Sequence, residues 1–112
     1  MNSKDKGKRG EREAAKAWAK TMGCEARRGQ QYCGLETPDV VQEIKGLHLE
    51  VKRTEKFKLY DAMDQAEQDK TPSDKPIVLH RKNLRQWVAI INLEDLPDVA
   101  RIIMEHYGQV PD

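Results

Sequence analysis

Residues with the types and spacing for chemistry gather between positions 37 and 53 of this 112-residue chain, in "TPDVV" and then "LHLEVKR". Asp39 follows a proline. Glu50 and Lys52 alternate with Leu49 and Val51, so a carboxylate and an ammonium stand on the strand face opposite the apolar one. Between the two stretches lies Lys45-Gly46, and a tight turn needs glycine where φ is positive. If those two residues form the loop, Ile44 pairs with Leu47, Val41 with Glu50 and Asp39 with Lys52. Asp39, Glu50 and Lys52 then share one face. A one-residue change in the turn would send Asp39 to the other side.

Two carboxylates brought together by adjacent strands make a hard oxygen site suited to Mg2+ or Mn2+. Such an ion binds a phosphate oxygen, stabilises the charge that builds at phosphorus and lowers the pKa of a bound water. An ammonium beside it, here Lys52, orients or helps deprotonate the attacking water, or neutralises the phosphorane. His48 shares the face, although the carboxylate and lysine set already supplies a base.

The positioning elements follow from periodicity. A helix is predicted over 11–22, "EREAAKAWAKTM", with Ala14, Ala15, Trp18 and Met22 as its apolar stripe and Gly23 as its stop. Glu11 lies four residues before Ala15 and seven before Trp18, on the inward stripe, where a carboxylate is costly unless paired or bound to a cation. It is the further carboxylate for the rim of the site, whereas Glu13 falls off the stripe and reads as solvent-facing. A short strand is predicted at 24–28 and a loop through "GQQYCGLETP", where Tyr32 could stack on a splayed base. After the hairpin come a helix over 59–69, strands over 76–80 and 86–91, and a closing helix capped near Asn92 or Asp95. The Leu96, Val99, Ile103 and Tyr107 side of that helix is apolar. The predicted fold is α/β, in the order α-β-β-β-α-β-β-α, a mixed sheet with its helices against one side.

The arrangement resembles the PD-(D/E)xK nuclease superfamily, and within it the archaeal-type Holliday junction resolvases and small phage-type relatives. The stretches that carry the resemblance are "KGKRGEREAAKAW" at 6–18, "RRGQQ" at 27–31, "TPDVV" at 37–41, "LEVKR" at 49–53 and "DQAEQ" at 64–68. It implies a restriction-endonuclease-like core and metal-dependent hydrolysis of DNA. By its motifs Asp39 and Glu50 would be metal ligands with Glu11 completing the site, Lys52 the catalytic lysine, Arg12 a functional arginine and Gln65 an amide near the reaction centre. It implies a nuclease more firmly than it implies four-way-junction cleavage. The alternatives are action on linear duplex and a catalytically silent DNA-binding protein of the same fold. Cutting a two-fold symmetric junction calls for two active centres, so a resolvase would be a homodimer.

Charge distribution agrees with a polyanionic partner. Net charge is only +1, but residues 1–34 hold nine Lys/Arg against four Asp/Glu, and residues 35–112 hold eleven against fifteen. Lys6, Lys8, Arg9, Arg12, Arg27 and Arg28 form the candidate phosphate-contact set, which would position a duplex without reading its sequence. Residues 1–9 read as a flexible basic tail ahead of one domain over 10–112. The longest apolar run is "WVAII" at 87–91, too short for a membrane span, and nothing near the amino terminus reads as a secretory signal. Cys24 and Cys33 show no metal-ligand spacing and read as reduced thiols of a cytoplasmic protein.

Overall fold

The computed structural model describes residues 3–29 and 38–108, with side chains from residue 7 onward in the first helix. Its elements are α1 (Ser3–Met22), β1 (Ala26–Arg28), β2 (Val40–Gln42), β3 (Leu47–Arg53), α2 (Leu59–Asp69), β4 (Lys75–Arg81), β5 (Val88–Ile90) and α3 (Leu96–Gly108). A single 3-10 turn, Leu93–Asp95, leads into α3. This is the expected α/β class and element order. The expectations for Tyr32 and Cys33 lie outside the described residues. No helix among the described residues is long and apolar enough to cross a membrane.

The five strands lie in chain order, β1-β2-β3-β4-β5. β2 runs antiparallel to both of its neighbours, β1 and β3, β4 runs parallel to β3, and β5 returns antiparallel. The parallel pair requires a crossover, and α2 supplies it.

Helices cover both sides of the sheet, not one. The larger core joins Ala14, Ala15 and Trp18 of α1 and Val99 of α3 to the odd positions Leu47 and Leu49 of β3 and to Val40, Ile77 and Leu79. The smaller core joins Ala62, Met63 and Ala66 of α2 to Val78, with Phe57 and Ile90 against it. The even positions of β3 are polar, which hid this second layer from a reading based on apolar alternation. The predicted stripe of α1 is buried, Ala14 completely (0% exposed). In α3 the buried side centres on Val99, Ile102 and Ile103, while Leu96 and Tyr107 are largely exposed at its margins.

α1 begins at Ser3, not near residue 11, so helix runs through residues assigned to a flexible tail. Its contact with β3 is close at Gly10, where a Cβ would stand 2.7 Å from the Cβ of Arg53. Because Arg53 ends β3, the turns of α1 before Gly10 extend past the end of the sheet. Seven residues of helix span roughly 10 Å.

The β2–β3 register differs from the expected one by two residues. Val40 pairs with Leu49, which sets Asp39 across from Glu50 rather than Lys52. The cause is Gln42. Its Oε1 accepts from the backbone N–H of Ile44 at 2.8 Å and from Trp18 Nε1 at 3.1 Å, and its Nε2 donates to the Ile44 carbonyl at 2.7 Å. Ile44 is thereby drawn into the core (1% exposed) instead of pairing with Leu47, and the bend widens. Gly46 still has the positive φ a turn requires, 99°, and packs against Ile102. A slip of two preserves strand parity, so the shared face survives.

Candidate active site

Three even-numbered side chains of β3, His48, Glu50 and Lys52, point toward α2. His48 and Glu50 are buried, 4% and 3% exposed. Buried charge on a strand is tolerated only when paired, and here His48 Nε2 lies 2.9 Å from Glu50 Oε1. Asp39, the residue just before β2, accepts the Val51 N–H through Oδ2 at 2.8 Å. That bond ties the carboxylate to β3 beside Glu50.

The Glu50 carboxyl is pushed up to about 7, mainly by burial. The hydrogen bond from His48 opposes the rise, and the Asp39 and Asp69 carboxyl groups push the same way as burial. Asp69 was not anticipated from sequence. It arrives because α2 runs back along β3, so a helical step of four residues, about 6 Å, matches a strand step of two. Gln65 and Asp69 are thus spaced like Lys52 and Glu50. Gln65 Oε1 accepts from Lys52 Nζ at 2.6 Å and holds the ammonium on this face.

Glu11 is half-buried on α1, which covers the opposite side of the sheet. Burial, and then the charge of Asp39, raise its pKa, while Arg28 and Arg12 oppose the rise. Arg28 Nη1 lies 3.5 Å from Glu11 Oε2, so this arginine of the expected phosphate set is engaged by the rim carboxylate. Arg9, Arg12 and Arg27 are exposed and Lys8 is half-buried; the side chain of Lys6 lies outside the described residues. Among the described residues no three His, Cys, Asp or Glu side chains converge closely enough to hold a metal ion by themselves. Glu11 stands near enough to Asp39 for the two carboxylates to repel, and Asp39 in turn raises the pKa of Glu50.

Other expectations change as well. Glu13 is not free in solvent: it meets Arg81 directly and lies 3.5 Å from Arg53 Nε. The Arg53 guanidinium is held at the end of β3, where Nη2 donates to Asn83 Oδ1 at 2.8 Å and Nη1 to the Arg81 carbonyl at 3.4 Å. His80 stacks on Phe57 with ring centroids 3.9 Å apart. It pairs across the ladder with Lys52 and extends the α2-facing side of the site. For His48 the signal was present, an i, i+2 spacing to Glu50 on one strand face. Asp69 carried none, because its place depends on how α2 docks.

No protein-family model, no curated protein and no solved structure matches the chain.

Proposed function

We propose that the chain is a divalent-metal-dependent DNA endonuclease that hydrolyses a phosphodiester by attack of water, with branched duplex as its substrate. The observation that supports this most is the β2–β3 register. It sets Asp39 across from Glu50, with Lys52 two residues further along the same face. Motif order and the basic first third of the chain support it further.

The donors suit a hard ion. Asp39 and Glu50 offer carboxylate oxygens side by side, one oxygen of each already engaged by Val51 N–H and by His48. Two protein ligands with the remaining positions left to water and phosphate is a common arrangement for Mg2+. When bound, the ion supplies charge stabilisation at the phosphate and acidifies a water. Lys52, steadied by Gln65, holds the attacking water in line or neutralises the developing phosphorane charge. Asp39 stays oriented through its backbone bond. Glu11 and Arg28 brace the rim, and Lys8, Arg9, Arg12 and Arg27 hold flanking phosphates.

A second reading, a silent DNA-binding protein with this fold, is favoured by one feature: the His48–Glu50 pair satisfies Glu50 with no metal. Two measurements separate the readings. Labelled linear, flap and four-way DNA should be cut in Mg2+ and spared in EDTA, with Asp39→Asn and Lys52→Ala each at least about 100-fold slower. Calorimetry should show Mn2+ binding that weakens in Glu50→Gln. Absence of metal-dependent cutting on every substrate would end the enzymatic reading.

A further inference from the structure

The β4–β5 connection carries a residue that stability does not explain. Leu84 is 97% exposed and has φ of 63°. It is the third residue of a turn closed by Arg85 N–H donating to the Lys82 carbonyl at 3.2 Å. That position favours glycine or asparagine, because a Cβ crowds the backbone in the left-handed region. A leucine there is strained and buries almost nothing. Backbone strain at a well-held loop is a reason to look for a function.

The tip is well held. Asn83 N–H donates to Glu55 Oε2 at 2.8 Å, Asn83 Oδ1 accepts from Arg53, and Arg81 Nε donates to the Arg85 carbonyl at 2.5 Å. An apolar side chain thus stands on a braced turn between two exposed cations, Lys82 and Arg85, with the exposed Lys56 on the adjoining segment. Glu55, the nearby acid, is already bound by Asn83 and lies 3.5 Å from Arg53. The tip also projects from the end of the sheet that bears Lys52, where the basic first turns of α1 overhang. An apolar wedge flanked by cations is how proteins enter a base step while gripping the phosphates beside it.

We propose that the β4–β5 tip is such a wedge: Leu84 enters an unstacked base step of branched or nicked DNA, and Lys82 and Arg85 grip the flanking phosphates. This rests on the reading of the chain as one that acts on DNA, and it specifies which DNA. Intact duplex charges the full unstacking cost, whereas a branch point has already lost the stack.

The test uses DNA carrying 2-aminopurine at the branch point, titrated in EDTA so that no cutting intervenes. The full chain should brighten the probe, and Leu84→Gly should not. Leu84→Gly relieves the strained φ, so it should melt no lower than wild type. It should lose about fivefold or more of the preference for branched over linear DNA while binding linear duplex normally. Lys82→Ala and Arg85→Ala should weaken both DNAs alike. Equal brightening by wild type and Leu84→Gly overturns the wedge, as does failure of the wild type to bind DNA. A brightening lost only in Leu84→Gly, together with no cleavage in Mg2+, supports the wedge and removes the nuclease reading instead.

Discussion

At the scale of single residues, Glu50 has the property most easily measured without knowing a substrate. Its folded pKa stands near 7, above the ordinary value of 4.5. Between those values the folded chain holds a proton that the unfolded chain releases, so stability is full below about pH 4.5 and declines as pH rises toward 7. In metal-free buffer, thermal melts should lose on the order of 2 kcal/mol across that range from this group, and Glu50→Gln should flatten the loss. A wild-type profile as flat as that of the variant would mean Glu50 is charged at little cost. Asp39, Glu50 and Lys52 were legible because strand alternation is a local rule that survives errors in register of two. The partners of these residues were less so. His48 was noted on the right face, yet its pairing with Glu50 depends on how deeply α2 buries them both. Gln65 rested on motif resemblance alone until α2 set it against Lys52.

Elements were legible in kind and order, and least so at their contacts. The helix over 59–69 and the strand over 47–53 fall where apolar spacing predicts. The start of α1 does not, since a lysine-rich, glycine-containing segment carries no apolar stripe to mark it. The bend between β2 and β3 was misread because a side chain, not the turn backbone, shapes it. Gln42→Ala should therefore lower stability by about 1–2 kcal/mol in urea unfolding, leaving Ile44 N–H and Trp18 Nε1 without their acceptor. Gly10 tests the packing of α1 on β3. In an isolated helix Gly10→Ala would gain about 1 kcal/mol. Here the new Cβ would meet the Arg53 Cβ, part of the strand's own framework, at 2.7 Å. Overpacking of that kind costs about 1–3 kcal/mol, so the net change should be a loss on the order of 1 kcal/mol in the same unfolding experiment. A gain would show that α1 can ride outward freely.

At the scale of the whole molecule, the two sides of the sheet are unequal. One apolar layer gathers α1, α3 and the odd side of β3, with Trp18, Leu49 and Ile77 among its large members. Among the described residues the other gathers a smaller apolar cluster, Ala62, Met63, Ala66 and Val78, because the β3 positions facing α2 are given over to His48, Glu50 and Lys52. Sequence could not show this asymmetry, since it arises from which strand face each helix chooses. Local opening follows the number of buried apolar contacts, so the two layers should not breathe together. Amide hydrogen exchange should reveal α2 opening well before the central turns of α1, with protection gained on α2 when Mg2+ is added. The side of the protein that would touch a phosphodiester is thus also the side least firmly fastened, and occupancy of that side becomes part of what keeps the protein shut.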